Sequence, residues 1–260
     1  MQSSKEHIIA ALQKGIRLDG RKADEFRPVT IEVGFINTAE GSARVRCGDT
    51  EVLAGVKMGM GKPYPDTPDK GVLMVNAELL PISSPLFEQG PPSHEAIELA
   101  RVIDRGIRES KTIDDKALCI KAGESVWMAN VDICPLNTDG NLIDVGALAA
   151  IAALKDAKMP SIVDGKADYK HRTQERLPLN GMPLPITIVK IGDVLLVDPT
   201  AIEFSAADSR LTVTTEEDGT LCALQKGGDG TLTVADVSAM VDLATDKARM
   251  LRKILVSALA

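Results

Sequence analysis

The sequence is poor in aromatic residues and in cysteine. Aromatic residues make up only 3% of the 260 residues, whereas apolar residues make up 44%. The core must therefore be aliphatic, and the chain is long enough to bury one large domain or two small ones without disulfides. The cysteines form no C-x-x-C pair, which favours free buried thiols in a reducing compartment. They are Cys47, Cys119, Cys134 and Cys222.

Catalytic motifs, metal-ligand spacings and membrane segments are also missing. His7, His94 and His171 lie far apart in the sequence, without the spacing of metal ligands. The sequence contains no G-x-S-x-G, no H-E-x-x-H and no Cys/His pair. We find no signal peptide, and the apolar run Val145–Leu154 is too short to span a bilayer. We therefore expect a cytoplasmic chain without metal, cofactor or membrane partner, and a poor enzyme on its own chemistry.

The charge of the chain is strongly acidic, with a net value of −7. Nucleic-acid phosphates are repelled by such a chain at long range. If RNA is the partner, binding must depend on a local basic patch or on a neighbouring subunit.

Hydrophobic periodicity predicts an α+β chain with two similar halves. Residues 1–27 hold a short amphipathic helix and a polar turn, and residues 28–160 hold half-buried strands and two helices. The polar, proline-containing segment 161–185 is typical of a linker. Residues 186–260 repeat the style of the first half, with hairpins and a long final helix. Antiparallel hairpins dominate this order, which argues against a doubly wound parallel sheet.

A helix is predicted from Ser93 to Lys111, because Ser93 can cap its first turn and Glu95 suits the positive end of the helix dipole. Arg101, Arg105 and Arg108 are spaced by four and three residues, so their guanidinium groups share one face. Such a row could follow an RNA backbone, since arginine binds phosphate through a planar fork of donors. Pattern alone favours a solvated face on which nearby acids pair with the arginines. The acids are Glu98, Asp104 and Glu109, and the opposite, apolar side holds Ile97, Ala100, Ile103 and Ile107.

The segment Gly59-Met60-Gly61-Lys62 superficially resembles a phosphate-binding loop. It lacks the full glycine spacing, and Pro63 follows the lysine where a Ser or Thr would be needed. We reject nucleotide binding and interpret 59–71 as a mobile loop, in which Lys62 is a weak candidate for RNA contact.

A second helix, Leu142–Lys158, is apolar nearly all round and should be buried. A helix N-terminus is a natural anion site, because its first N–H groups are unpaired. Here Asp139 and Asp144 would repel phosphate, and residues 141–143 add neither a positive charge nor a hydroxyl. We expect a structural cap at this end and no ligand site.

Three further acids, Asp198, Glu203 and Asp208, could suggest metal binding or general acid–base catalysis. Asp198 precedes Pro199, and Phe204 lies between the other two acids. No paired-carboxylate geometry follows from this spacing, so turn-forming and capping roles are favoured.

Several of these segments together resemble the RNase PH family over nearly the whole chain. The first is Arg17-Leu18-Asp19-Gly20-Arg21, followed by Glu25, Arg27 and Pro28. The resemblance continues through Gly41-Ser42-Ala43, the segment 48–54, the arginines of 101–108, the segment 126–139 and the C-terminal half. Any one of these pieces would be weak evidence, but their order and number are specific.

The resemblance implies a fold of two β-α-β-α halves, similar to domain 2 of ribosomal protein S5. Within the family, the likeness is greatest to the non-catalytic ring subunits of archaeal exosomes. It implies a hexameric ring, a trimer of heterodimers in which this chain alternates with a catalytic RNase PH-like sibling. It also implies RNA-binding cap subunits with OB folds, and single-stranded RNA as the substrate. In this family inorganic phosphate attacks the 3′-terminal phosphodiester and releases nucleoside diphosphates.

Two departures from the family pattern bear on catalysis. Active members have Gly-Thr-Arg or Gly-Ser-Arg where this chain has Asn141, Leu142 and Ile143, and an essential aspartate where it has Phe204. The resemblance therefore implies no catalytic residue here, and it assigns RNA contact to Arg101, Arg105 and Arg108. Two alternatives stay open: an active phosphorolytic exoribonuclease with an unusual site, and a purely structural ring spacer.

Overall fold

The computed structural model describes residues 2–260, except for the side chains of residues 2–4, 170 and 172. Twelve strands and five helices are found in this part of the chain. In chain order they are α1 (Gln2–Leu12), β1 (Val29–Val33), β2 (Gly41–Cys47), β3 (Thr50–Gly61), β4 (Val72–Ala77), α2 (His94–Glu109), β5 (Cys119–Lys121), β6 (Ser125–Asn137), α3 (Leu142–Asp156), β7 (Lys158–Val163), β8 (Lys166–Arg176), β9 (Leu184–Ile191), β10 (Val194–Val197), α4 (Ala201–Ala206), β11 (Ser209–Thr215), β12 (Leu221–Gly227) and α5 (Val234–Leu259).

A six-stranded sheet forms the first half of the chain, with the order β1-β2-β3-β6-β4 and with β5 beside β6. Its pairings are antiparallel except for the parallel pair of β4 and β6. The tight turn between β2 and β3 uses Gly48 at a φ of +56°, a conformation that glycine adopts without strain. In β3, Val52, Ala54, Val56 and Met58 are buried at every second position. The predicted alternation in these strands is therefore confirmed.

A four-stranded antiparallel sheet forms the second half, with the order β10-β9-β11-β12. The long helix α5 begins in a capping box, in which Thr233 accepts from the N–H of Asp236 and Asp236 accepts from the N–H of Thr233. Its buried side includes Met240, Ala244 and Leu251, which pack into the core. The predicted hairpins and final helix are confirmed.

The helix α3 lies between the two sheets, in contact with β2 and β3 on one side and with β9 on the other. It is buried from Asp144 to Leu154, as its apolar sequence predicts. Small residues allow this packing: a Cβ at Gly41 of β2 would collide with the backbone of Ala153 and Ala157. One continuous hydrophobic core therefore includes side chains from both halves. The α+β architecture is confirmed.

The structure differs from the sequence predictions in several segments. The helix α3 ends at Asp156 instead of Lys158, because the N–H of Lys158 donates to Glu40 and starts strand β7. The predicted linker 161–185 contains most of the hairpin β7–β8. That hairpin is largely exposed on both faces, so its sequence lacks the alternation that marks a half-buried strand. The strand predicted over 72–82 ends at Ala77, and β3 extends through Gly61 into the predicted loop.

Candidate nucleic-acid interface

The arginine-bearing helix α2 forms as its sequence predicts. The hydroxyl of Ser93 accepts a hydrogen bond from the N–H of Ala96 at 3.2 Å and caps the first turn. Apolar residues at helical spacing, including Leu99, Ile103 and Ile107, are buried against the core. Ile97 is an exception to the predicted apolar face, since half of its surface is exposed.

The three arginines of α2 line one cleft with a volume of about 690 Å³. The cleft lies between α2, strand β4, strand β12 and the segment that follows β3. Its other lining residues include Tyr64, Leu73, Glu98, Asp104, Glu109 and Gln225. Residues distant in sequence therefore complete the arginine face that the helix spacing predicts.

The arginines of the cleft differ in how far they are neutralised. Arg108 pairs with Asp104, with 2.6 Å between Nη2 and Oδ1, and this hydrogen bond raises the pKa of Arg108. Arg105 donates to the neutral amide oxygen of Gln225 at 3.3 Å and forms no salt bridge with the residues that the structure describes. Arg101 is exposed and has no acidic partner within 4.0 Å in the part of the chain that is described.

The acids predicted to neutralise this face do so only in part. Asp104 pairs with Arg108, as the solvated-face interpretation predicts. Glu98 instead pairs with Arg210 of strand β11. Within the described part of the chain, two arginines of this face, Arg101 and Arg105, therefore have no salt bridge.

Lys62 is exposed directly after the end of strand β3. It is not among the residues that line the arginine cleft, although Tyr64, two positions further on, is one of them. The structure thus does not bring Lys62 together with the three arginines.

The N-terminus of α3 is occupied by internal contacts. Asn141 takes the N-cap position with a φ of +57°, but its side chain makes no capping hydrogen bond. Its amide donates instead to Oδ1 of Asp198 at 2.9 Å. Asp139 accepts from Arg27 at 3.2 Å. Asn141 thus caps this helix end structurally, as expected, but without a side-chain hydrogen bond to the first turn.

Asp198 is the centre of a buried network of charges. Arg27 donates from Nη2 to its Oδ1 at 2.7 Å and from Nε to its Oδ2 at 2.8 Å, and Arg21 donates to Oδ2 at 2.8 Å. Burial by itself would raise the pKa of Asp198, but the hydrogen bonds and charge of Arg27 outweigh it and lower that pKa. Asp198 therefore stays ionised and committed to these arginines.

Glu203 is buried beside this network, and its carboxylate accepts hydrogen bonds both from Arg17 and from the start of helix α4. Arg17 donates to its two oxygens at 2.9 and 2.7 Å. The same carboxylate accepts from the N–H of Thr200 and completes the capping box of α4. The structural role predicted for Glu203 is confirmed.

In the segment 198–210, Phe204 and Asp208 also have structural roles. Asp208 pairs with Lys5 at 2.7 Å and accepts from the N–H of Gly192. The guanidinium of Arg210 lies over the ring of Phe204, with its Cζ 5.6 Å from the ring centre. The three acids 198, 203 and 208 thus bind different partners, and no group of three or more His, Cys, Asp or Glu in the described chain is arranged to hold a metal ion.

Two sequence profiles match most of the chain. The profile of the 3′ exoribonuclease family, domain 1, matches residues 25–160, and that of domain 2 matches residues 181–247. The chain belongs to this family, the RNase PH family. Much of the β7–β8 hairpin lies between the two matched regions.

Relatives named as exosome components are similar to this chain over almost their full length. The exosome complex component Rrp42 of Methanocella arvoryzae is 48% identical over 249 residues, which cover 96% of this chain and 94% of the relative. That of Archaeoglobus fulgidus is 47% identical over 250 residues, with the same coverage.

None of the helices in the described part of the chain is long and apolar enough to cross a membrane.

Solved structures agree with the family assignment. A chain of the Archaeoglobus fulgidus exosome with RNA bound to the active site superposes with a TM-score of 0.90 at 46% identity, covering 97% of both chains. Rice Rrp46 has a TM-score of 0.71 at 17% identity and supports the fold alone. The predicted RNase PH-like fold is confirmed.

Sequence reasoning missed the partners of the arginines in the segment 17–27. Arg17, Arg21 and Arg27 are visible in the sequence, but Asp198 and Glu203 lie more than 170 residues away along the chain. The available signal was the density of arginine in a short polar segment beside an otherwise acidic sequence. Spacing alone could not identify the acids with which these arginines pair.

Proposed function

We propose that this chain is a ring subunit of an archaeal-type exosome, in which it binds single-stranded RNA and does not cut it. The main support is that Arg101, Arg105 and Arg108 line one cleft. Of these three arginines, only Arg108 has an acidic partner in the described chain. Guanidinium groups bind phosphates through parallel hydrogen bonds, so this cleft suits a nucleic-acid backbone. The similarity to exosome components named Rrp42 supports the same assignment.

The non-catalytic part of the proposal rests on how the candidate catalytic positions are used. A phosphorolytic site must hold inorganic phosphate, which requires positive charge and hydrogen-bond donors. At the start of α3 the side chains include Asp139 and Asp144, and the nearby Arg27 is committed to Asp198. Glu203 is committed to Arg17. Inorganic phosphate would therefore be used by a catalytic sibling, and this chain needs no cofactor.

The assembly in this proposal is a hexameric ring, a trimer of heterodimers with a catalytic RNase PH-like sibling. Cap subunits with OB folds would deliver single-stranded RNA to it, in the cytoplasm. The chain would help to complete the active site of its sibling by holding the RNA backbone beside it. Support comes from similarity to chains of archaeal exosome structures, one with RNA bound to the active site.

A phosphorolysis assay tests both parts of the proposal. This chain, its catalytic sibling and a mixture of the two are each incubated with single-stranded RNA and inorganic phosphate. The nucleoside diphosphates released in each sample are then measured. We expect no product from this chain alone and product from the mixture. The charge reversal Arg105→Glu should lower the activity of the mixture. Arg249→Glu is the matched control, because Arg249 is also exposed but lies on α5, outside the cleft.

Two outcomes would overturn the proposal. Nucleoside diphosphates released by the chain alone would identify an active phosphorolytic enzyme. Alternatively, RNA crosslinking to this chain in the assembled ring could be unchanged after reversal of all three arginines. That result would leave the chain as a structural spacer. The mass of the co-expressed complex, measured first, establishes whether the ring forms.

A further inference from the structure

One ion pair connects the second sheet to the arginine-bearing helix. Arg210 of strand β11 donates from Nη2 to Oε1 of Glu98 in α2. The side chain of Arg210 is 15% exposed, and that of Glu98 is 43% exposed. Glu98 lines the arginine cleft, whereas Arg210 is not among the residues that line it. The acid of this pair therefore faces the cleft, and the cation lies outside it.

The guanidinium of Arg210 is packed on two further sides. Its Cζ lies over the ring of Phe204, 5.6 Å from the ring centre. Gly227 of strand β12 lies opposite Arg210 in the strand register. A Cβ at Gly227 would collide with the guanidinium, which thus occupies the space that a side chain would take. These contacts hold Arg210 in place beside Glu98.

Glu98 has an alternative partner on its own helix. It precedes Arg101 by three residues, and side chains at this spacing are neighbours on a helix surface. A pair between Glu98 and Arg101 would neutralise an arginine of the cleft. Asp104 is the other acid within four residues of Arg101, and it is bound by Arg108. Both acids that could neutralise Arg101 therefore have another partner.

The second sheet makes a further contact with this helix that also preserves its positive charge. Gln225 of β12 accepts from Arg105 at 3.3 Å, through a neutral amide oxygen. The second sheet therefore offers a cation to the acid of α2 and a neutral acceptor to one of its arginines. Both contacts leave the arginines of the cleft charged and unpaired with acids of the sheet.

We propose that Arg210 is a positioning residue for RNA binding, which holds Glu98 away from Arg101 and so keeps Arg101 available to a phosphate. This inference rests on the proposed function and adds to it a residue outside the cleft. Arg210 acts through Glu98 and does not itself contact the RNA. When Arg210 is removed, Glu98 pairs with Arg101, and the cleft offers one positive charge fewer to the strand.

The test measures RNA affinity of the full chain assembled with its sibling, without phosphate so that no RNA is degraded. The probe is a fluorescently labelled oligoadenylate, titrated at several salt concentrations. Arg210→Met removes the charge and keeps an unbranched side chain over Phe204. It is introduced into the unchanged chain, into Glu98→Gln and into Arg101→Gln. Circular dichroism and the thermal midpoint establish that each variant is folded.

Lys190→Met is the matched control. Lys190 is 17% exposed, lies on the same sheet as Arg210 and pairs with Asp236, and neither residue of this pair lines the cleft. The change removes the same charge from an ion pair of similar burial, so it should leave RNA affinity unaltered.

We expect Arg210→Met to weaken binding by about 2- to 5-fold at low salt, because an exposed ion pair such as Glu98–Arg101 competes only weakly with a phosphate. The slope of log K against log salt should fall by up to about 0.7. The loss of affinity should disappear in Glu98→Gln, where no acid is released. The change in slope should disappear in Arg101→Gln, where the phosphate contact is already gone.

Three results would overturn the positioning role. A loss of affinity that persists when Arg210→Met is made in Glu98→Gln would indicate direct contact between Arg210 and RNA. Equal losses from Arg210→Met and from Glu98→Gln alone would make the pair only a structural contact between α2 and β11. Unchanged affinity after Arg210→Met would leave Arg210 without a role in binding.

The proposed function is tested separately by Arg105→Glu in the same titrations. If Arg105→Glu weakens binding and Arg210→Met does not, the positioning role is wrong and the RNA-binding role stands. If neither change affects binding, the proposed RNA-binding function fails as well.

Discussion

The carboxylate of Asp144 accepts the backbone N–H of Thr187 with both of its oxygens, at 2.9 and 3.0 Å. Asp144 lies in the first turn of α3, and Thr187 lies in β9 of the second sheet. The interaction therefore joins the two halves of the chain inside the core. Burial raises the pKa of Asp144 to about 7, and the hydrogen bonds from Thr187 oppose that rise only in part.

The titration of Asp144 should make folding stability depend on pH. Its pKa in the folded chain lies above the ordinary value of 3.8, so the folded state binds the proton more tightly. Its contribution is then fully present below pH 3.8 and is lost as pH rises towards 7. Asp144→Asn removes this titration. The free energy of unfolding of the unchanged chain, relative to the variant, should fall by about 2 kcal/mol between pH 5 and pH 7.

Urea denaturation of both proteins at the two pH values measures this difference. The unchanged chain titrates many other carboxyls, so only the difference between the two proteins is informative. A difference that stays constant from pH 5 to pH 7 would rule out a raised pKa at Asp144.

The buried pair of Arg17 and Glu203 should be sensitive to loss of one partner. Arg17→Ala leaves the Glu203 charge unpaired in a site where both side chains are 1% exposed, so we expect a loss of about 3 to 5 kcal/mol in the free energy of unfolding. Arg46→Ala is the control, because Arg46 is half exposed in its pair with Glu51 and should cost at most about 1 kcal/mol. Equal effects of the two changes in chemical denaturation would contradict the buried network.

RNA binding should weaken as salt increases, because cations of the chain displace counterions from phosphates. For single strands the slope of log K against log salt falls by about 0.7 for each phosphate contact removed. Arg101→Gln should lower the slope by that amount, whereas Arg249→Gln should not change it. Fluorescence titrations at several salt concentrations measure both slopes, and an unaltered slope in the Arg101 variant would remove Arg101 from the RNA contact.

The close approach of β2 to α3 should make Gly41→Ala strongly destabilising. Its added methyl group would collide with the backbone of Ala153 and Ala157, which cannot move without shifting the helix, and overpacking costs about 1 to 3 kcal/mol or more. Gly55→Ala on the neighbouring strand is the matched control, since the nearest atom to its new Cβ is the end of Ile36 at 3.9 Å. Thermal unfolding of both variants should separate them clearly; similar midpoints would contradict the close packing.

Much of the fold was predictable because local sequence and tertiary structure agree. The cap at Ser93, the apolar α3 and the alternation of β3 each carry their own signal. The hairpin β7–β8 carries none, since a strand exposed on both faces has no periodic apolar pattern. The partners of Arg17 and Arg105 could not be predicted either, because Glu203 and Gln225 meet them only after the two sheets have packed.

The burial of α3 between the two sheets has a consequence for any attempt to divide the chain. The two family profiles separate at residues 160 and 181, which suggests two modules. A fragment that ends before β9 would present the alanine-rich surface of α3 to water, together with the unpaired carboxylate of Asp144. Such a fragment would be prone to aggregation, so the two sequence modules should fold and unfold as a single cooperative unit.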